Sequence, residues 1–219
     1  MSHLHISDGI LPWWLWIGGM VCTGLLTLLA LLKLRKQRRL LSQVAIMAAL
    51  GLAAMNIPLG LPVHINLSAL AGILLGPLNG FLATFIMLVF NALIGHGGLT
   101  VLGVNALLVG SEALVAGALF RGLGADKGLL PRVAVSVLIA LVVSSLLVVA
   151  VTGAAGLGLG ALAHQHEEHG GEGHETVFLK TLLPLYAPLL AIWVAVELGV
   201  SLLVTAYINK VRGDVFAGR

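Results

Sequence analysis

Pro12–Leu32 reads PWWLWIGGMVCTGLLTLLALL and is followed at once by the basic run KLRKQRR at residues 33–39. The apolar stretch has 21 residues. As a helix it extends about 31 Å, enough to cross the ~30 Å hydrocarbon layer of a bilayer. Its tryptophans Trp13, Trp14 and Trp16 stand at one end, where an aromatic belt is expected. The stretch therefore predicts a transmembrane helix whose basic end lies in the cytoplasm.

The rest of the 219-residue chain has the same apolar character. Hydrophobic residues make up 59% of it and charged residues 10%, whereas a soluble domain has about 25% charged residues. That composition excludes an ordinary soluble enzyme, a disordered protein and a nucleic-acid-binding protein. The apolar runs are continuous rather than alternating, which argues against a transmembrane β-barrel. The composition predicts an all-α, polytopic membrane protein with a single membrane domain over residues 1–219.

Charge segregation predicts the topology of this multi-pass protein in the cell inner (plasma) membrane. Eleven of the twelve Lys and Arg residues fall within 33–39, 121–132 and 210–219, and positive loops stay in the cytoplasm. An even number of crossings must separate the first two clusters, so a short apolar run between them counts as a helix. We predict seven transmembrane helices, with the N-terminus outside and the C-terminus cytoplasmic, at residues 12–32, 40–57, 63–76, 78–95, 99–120, 133–163 and 176–208.

All eight histidines fall at or near the predicted outer face. They occupy residues 1–11, the 58–64 connection, the 95–98 turn and the 163–175 loop. Histidine is the commonest side-chain ligand of transition metals, so this clustering predicts an outer metal site; the alternative is that loops simply collect polar residues. The set is His3, His5, His64, His96, His164, His166, His169 and His174.

The amino end offers nitrogen ligands that can lie in one plane. It lacks the basic segment of a cleavable signal, so we expect it on the mature protein. If Met1 is retained, its amine, two backbone amides and the His3 imidazole fill a square; if Met1 is removed, Ser2 supplies the amine and a distant imidazole completes the square. Square-planar nitrogen sites suit Ni(II) or Cu(II). His64 is the natural distant ligand; the alternative is a helix-start histidine bonded to water or backbone.

Three stretches resemble the signatures of a known family. They read HISDGILP at residues 5–12, VHINLSALAGILLGP at 63–77 and GHGGLTVLGVN at 95–105. In this order and spacing they resemble the CbiM/NikM family, the substrate-binding S components of cobalt and nickel energy-coupling-factor (ECF) transporters, whose chains open with His-Ile-Pro-Asp-Gly. The resemblance runs through residues 1–120 and weakens beyond.

The resemblance implies a metal held by the N-terminal amine, the amide and imidazole of a nearby histidine, and an imidazole that matches His64. This chain has a three-residue extension, so the motif histidine is His5 whereas His3 lies nearer the amine. Either His3 replaces His5 or both bind; we expect His3 and His64 in the plane and His5 as an auxiliary ligand. The Ni or Co ion is transported substrate, and no cofactor is expected.

Four further residues are expected around this site, each with a plainer alternative. Asp8 either orients an imidazole or caps the first helix. His96, flanked by glycines, either roofs the site or is a solvated turn residue. Asn91 and Asn105 either bind the amino-terminal loop or pair with neighbouring helices. The His-rich 163–175 loop is either a low-affinity metal antenna or a solubilising segment.

Two acidic residues, Glu112 and Glu197, lie within predicted helices. A charge at the bilayer centre costs about 2.5–3.5 kcal/mol on insertion scales, and such residues are functional by default. We expect them to pair through a proton, or with Ser111 and Ser201, and to lie too deep to bind the metal.

The chain has no nucleotide-binding loop of the form GxxxxGK[ST], so we expect no enzyme activity and uphill transport only with partners. The resemblance implies a coupling transmembrane subunit, two ATPase subunits and often a small two-helix accessory protein; the family's commonest association is with cobalt for cobalamin biosynthesis. A self-sufficient metal channel or proton-coupled permease and a membrane-embedded metalloenzyme are the competing hypotheses. Nickel and cobalt are not distinguished.

Small residues at four-residue spacing predict close helix contacts. The stripe Ala45, Ala49 and Ala53 resembles the surface that S components present to the coupling subunit, with internal packing as the alternative. Gly72, Gly76 and Gly80 are expected to pack within the bundle.

Overall fold

The computed structural model describes residues 6, 8–9, 11–35, 37, 39–57, 64–156 and 183–216. This part of the chain contains seven α-helices and no β-strand, which confirms the all-α prediction. Two short 3₁₀ turns, Ala125–Lys127 and Gly213–Val215, accompany them. The helices are α1 (Trp13–Arg35), α2 (Arg39–Met55), α3 (Ser68–Leu75), α4 (Pro77–Leu93), α5 (Leu102–Gly122), α6 (Leu129–Ala154) and α7 (Leu183–Val211).

Four of these helices are long and apolar enough to cross a bilayer: α1, α5, α6 and the Leu190–Val211 part of α7. Helices α2 and α4 are also apolar but have 17 residues each. Large apolar side chains such as Leu25 on α1 and Leu203 on α7 point away from the bundle, exposed by 57% and 73%. A soluble monomer rarely exposes so much apolar surface, so the chain is an integral membrane protein.

Helix α5 forms the centre of the bundle and packs against α1, α3, α4 and α6. Its contact with α3 is a backbone contact, because a methyl group at Gly72 would overlap the main chain of Ala113. A methyl group at Gly117 would likewise overlap Gly72. Small residues permit such close approach in membrane bundles, where dispersion forces replace the hydrophobic effect between helices.

Helix α3 is shorter than the predicted 63–76. It begins at Ser68 because Leu67 has φ 55°, a left-handed conformation from which a right-handed helix does not extend backwards. The side-chain oxygen of Asn66 accepts the Ser68 N–H at 2.9 Å and so satisfies one free donor of the first turn. With eight residues α3 spans only about 12 Å. Residues 64–67 therefore enter the bundle as non-helical backbone.

Helix α6 begins and ends earlier than the predicted 133–163. The expectation excluded Arg132 as a loop residue, but the first turn of α6 includes it, buried. Its guanidinium lies 4.3 Å from the centre of the Phe120 ring and donates to the Phe120 carbonyl at 2.6 Å. These contacts compensate the buried charge. At the other end the helix stops at Ala154, and Gly156 has φ 69°, a conformation that often follows a helix.

Helix α7 continues to Val211, three residues beyond its predicted end at 208, and the predicted start at 176 lies outside the described residues. The chain between α6 and α7 includes the His-rich 163–175 loop, which lies outside the described residues. The predicted orientation of the seven helices in the membrane stays a prediction.

The close contact between α3 and α5 predicts that a glycine-to-alanine substitution lowers stability at the contact but not at an open position. We expect Gly72→Ala to destabilise the detergent-purified protein by about 1–3 kcal/mol, the usual cost of overpacking, and to lower its Tm by several degrees. Gly24→Ala is the matched control, because a methyl group there meets nothing within 4 Å. Equal Tm values for the two variants would contradict the packing described here.

Candidate metal-binding site

The amino-terminal segment is fastened to the first turns of α5 at Ile6. The Ile6 N–H donates to the side-chain oxygen of Asn105, and the side-chain nitrogen of Asn105 donates to the Ile6 carbonyl, both at 2.9 Å. The Ile6 side chain packs in a small core with Leu11, Val104 and Leu108. One asparagine thus satisfies both the backbone N–H and the backbone carbonyl of the buried Ile6.

Asp8 makes a second attachment, to the turn between α4 and α5. Its carboxylate accepts the N–H groups of Leu99 at 3.1 Å and Thr100 at 2.8 Å, and also the Thr100 hydroxyl. The Thr100 hydroxyl holds the pKa of the Asp8 carboxyl below its usual value. Gly98 permits this approach, because a methyl group there would overlap Asp8. These bonds add a role to the two expected for Asp8: the residue joins the amino-terminal segment to the turn.

His64 lies in the non-helical segment before α3, not in a helix, and is half-buried. The buried Nδ1 atom of its imidazole has no hydrogen-bond partner among the described residues. Burial lowers the pKa of this imidazole, and the charge of nearby His96 lowers it further. The neutral form, which binds metal ions, is therefore favoured at neutral pH.

His96 and Asn91 lie at the C-terminal end of α4. His96 is exposed in a turn where Gly95 and Gly97 have φ 85° and 108°, and its N–H donates to the Asn91 carbonyl at 2.8 Å. The buried Asn91 side chain donates to the sulfur of Met55 at 2.7 Å and accepts from Asn56 at 3.0 Å. Asn91 thus pairs with the end of α2, whereas Asn105 holds the amino-terminal segment.

Two residues that the sequence analysis did not assign to the site, Trp193 and Glu197, hold the His64 segment in place. The indole N–H of Trp193 donates to the His64 carbonyl at 3.2 Å, and the carboxylate of Glu197 accepts the Asn66 N–H at 2.6 Å. The sequence flagged Glu197 as an unusual intramembrane acid, but its partner lies 131 residues away along the chain.

One face of α5 links the two anchored segments. Asn105 and Glu112 are seven residues apart, almost two turns, and therefore lie on the same face about 10 Å apart. Asn105 holds Ile6, and Glu112 lies next to Asn66. The amino-terminal segment and the 64–67 segment are therefore brought to the same side of α5.

The two intramembrane acids do not make the expected serine pairs. Glu197 accepts a backbone N–H, and the Ser111 hydroxyl donates to the Leu108 carbonyl at 2.6 Å. Within the described ranges neither the Ser201 hydroxyl nor the two carboxyl oxygens of Glu112 has a partner that meets hydrogen-bond geometry. Both acids are buried, at 0% and 1% exposed.

Several predicted ligands lie outside the described residues: Met1, Ser2, His3 and His5, together with the four histidines of the 163–175 loop. Within the part of the chain that the structure does describe, no three His, Cys, Asp or Glu side chains come together as a metal-binding group. His64 and His96 are the two histidines described.

The alanine stripe lies on the outer surface of α2. Ala45, Ala49 and Ala53 are exposed, beside the exposed apolar side chains of Ile46 and Leu50. The buried residues of α2 are instead Val44, Met47, Ala48 and Gly51. Among the described residues, the stripe does not take part in internal packing.

An all-α bundle with a large exposed apolar surface and an amino-terminal segment held at Ile6 and Asp8 defines a polytopic membrane protein. The family model described as "Cobalt uptake substrate-specific transmembrane region" matches residues 5–215. The chain belongs to this family, CbiM, which is a transport family rather than an enzyme family.

Two relatives named "Cobalt transport protein CbiM" illustrate the similarity. The protein from Thermosynechococcus vestitus is 36% identical over 115 residues, which cover 47% of this chain and 44% of the relative. The protein from a Roseiflexus species is 37% identical over 112 residues, which cover 47% and 45%. The chain spans about half the length of the curated relatives it matches.

A solved structure described as a truncated transition metal transporter has a similar fold. The superposition has a TM-score of 0.64 at 19% identity and covers 94% of this chain and 99% of that one. The similarity supports the arrangement of the helices.

The paired hydrogen bonds of Asn105 predict that it controls the order of the amino-terminal segment. We expect Asn105→Ala to speed amide hydrogen exchange at Ile6 by roughly tenfold or more, because two hydrogen bonds worth about 0.5–1.5 kcal/mol each are lost. Asn56→Ala is the matched control, because it also removes an asparagine with two hydrogen bonds, but these bonds go to Leu52 and Asn91 rather than to Ile6. Unchanged exchange at Ile6 in Asn105→Ala would refute this role.

Proposed function

We propose that the chain is the metal-binding substrate-specificity subunit of an ATP-driven ECF uptake transporter for Co(II) or Ni(II) in the plasma membrane. Membership of the CbiM family supports cobalt uptake transport, and the assembly and the choice of ion are the proposed steps. The chain carries no nucleotide-binding loop of the GxxxxGK[ST] form, so ATP hydrolysis is assigned to partner subunits.

The observation that carries the proposal is the convergence of two segments on one face of α5. Asn105 holds Ile6, which directly follows residues 1–5 in sequence, and Glu112 lies next to Asn66, which follows His64 by two residues. The buried Nδ1 atom of His64 is without a partner in the described part of the chain. A buried nitrogen acceptor of this kind is costly unless it binds something.

The proposed ligand set combines His64 with nitrogen donors from residues 1–5. His3 and His64 share the plane of the ion, and His5 is the auxiliary ligand. Planar nitrogen coordination favours Ni(II), whereas the names of the relatives favour cobalt. We assign His96, exposed in the turn after α4, to the border of the same site.

The exposed alanine stripe of α2 is the proposed docking surface for the coupling transmembrane subunit. Small side chains at four-residue spacing let a partner helix approach the backbone closely. All three alanines are exposed, so none of the described helices covers that surface. Through the coupling subunit the chain joins two ATPase subunits and, in some assemblies, a small two-helix accessory protein.

Removal of the His64 imidazole provides the first test. Mutation of a residue that only supports a metal ligand lowers metal affinity by about 10–100-fold. We therefore expect His64→Ala, which removes a ligand itself, to weaken Ni(II) or Co(II) binding to the purified protein by at least about a hundredfold. Titration followed by absorption spectroscopy, with each metal in turn, measures the affinity. His169→Ala, in the loop not expected to define the ion, is the matched control. Stoichiometric tight binding by His64→Ala would defeat the assignment.

A bulky side chain in the alanine stripe provides the second test. We expect Ala49→Trp to abolish co-purification of the coupling and ATPase subunits and metal uptake by cells, while metal binding by the isolated protein stays normal. Ala195→Trp, which alters an exposed alanine of α7, is the control. Uptake by cells that lack the ATPase subunits would favour a self-sufficient permease instead.

A further inference from the structure

The His64–Leu67 segment is non-helical backbone inside a helical bundle. Asn66 within the segment is 5% exposed, and Ser68 directly after it is 1% exposed. Non-helical backbone is tolerated at membrane depth only where the protein itself, or water in a cavity, satisfies its polar groups. The groups that satisfy it therefore determine the position of His64.

Two side chains one turn apart on α7 supply these contacts. Trp193 and Glu197 are four residues apart and so lie on the same face of the helix. Trp193 donates to the carbonyl of His64 itself, and Glu197 accepts the N–H of Asn66. Both side chains are at least 95% buried, at 5% and 1% exposed, so water does not replace these bonds from outside.

The backbone after His64 adopts a conformation that it would not hold alone. Leu67 has φ 55° and ψ 13°, and the left-handed region costs an ordinary residue about 1–2 kcal/mol. Such conformations persist only when surrounding contacts determine them. The contacts here are the Asn66 side chain on the Ser68 N–H and the two residues of α7.

We propose that Trp193 and Glu197 are positioning residues that hold the His64 imidazole in the geometry required to bind the metal ion. The inference rests on the proposed function, because it concerns a ligand of that site. Neither residue touches the ion; each acts through the main chain of the 64–66 segment. Residues behind a metal ligand fix its orientation, and their loss costs about 10–100-fold in affinity.

The test compares substitutions on one face of α7. We expect Glu197→Ala to weaken Ni(II) and Co(II) binding by about 10–100-fold and to change the visible absorption bands of the bound metal. Glu197→Gln keeps an oxygen acceptor for the Asn66 N–H and restores affinity and spectrum to near the parent values. Ser201→Ala, a fully buried polar-to-alanine change one turn further along, is the matched control and binds normally.

A second variant keeps the test decisive if Glu197→Ala does not fold. Trp193→Phe retains an aromatic ring in the core but removes the donor to the His64 carbonyl. We expect it to weaken metal binding by about fivefold, the effect of one hydrogen bond. The Tm of each metal-free variant is measured alongside, because positioning lowers affinity without a matching loss of stability.

The outcomes separate this inference from the proposed function on which it rests. Parent-like affinity and spectrum in both Glu197→Ala and Trp193→Phe overturn the positioning role. Equal losses of Tm and affinity in Glu197→Ala and Ser201→Ala also overturn it, because the effect is then general destabilisation. If the parent protein binds metal and His64→Ala does not, the proposed site survives either result. A folded parent that binds neither metal overturns both.

Discussion

Non-helical backbone inside a membrane bundle needs hydrogen-bond partners from the protein or from water in a cavity, and side chains of α7 supply two such partners to the 64–67 segment. A regular helix satisfies its own backbone, but residues in the conformation seen here depend on side chains from elsewhere. The Asn66 side chain accepts the Ser68 N–H at the start of α3. Side chains of α7 bond to the carbonyl of His64 and to the N–H of Asn66. The histidine at this position is therefore fixed by tertiary contacts rather than by the helix that follows it.

The same principle explains how the amino-terminal segment is attached. A strand partner would offer one N–H and one carbonyl to the Ile6 peptide, and the Asn105 amide offers the same pair from a side chain. Asp8 adds charge-assisted bonds to the turn after α4. The amino-terminal segment is thereby held at two described residues, Ile6 and Asp8, close to the start of α5.

The sequence predicted those features that depend on composition and local pattern. The apolar runs indicated α1, α5 and α6 because their length and hydropathy suffice to cross a bilayer. Helix ends were predicted less well, because they depend on tertiary contacts. Arg132 lies in the first turn of α6, where it contacts Phe120, a residue 12 positions away, and Leu67 sets the start of α3 with a left-handed conformation that no sequence rule assigns to leucine.

Some residues of the candidate site could be nominated from the local sequence, whereas others are identified only by contacts between distant parts of the chain. His64 and Asn105 stood out as polar residues within apolar stretches, so their types and positions sufficed to nominate them. Trp193 did not stand out, because a tryptophan in an apolar helix is expected to face lipid or core. Its bond to His64 joins residues 129 apart, and no periodicity within either segment carries that information.

Small residues at four-residue spacing occur on both α2 and α3, yet the two stripes have different environments. On α3, Gly72 is buried so closely against Ala113 that a methyl group would overlap the backbone, which commits that face to the bundle. On α2, Ala49 is exposed while its neighbour Ala48 is buried. Spacing alone indicates only that a helix backbone can be approached. Burial then shows which approach is already made within the described part of the chain: the face of α3 at Gly72 is packed against α5, whereas the face of α2 at Ala49 is exposed.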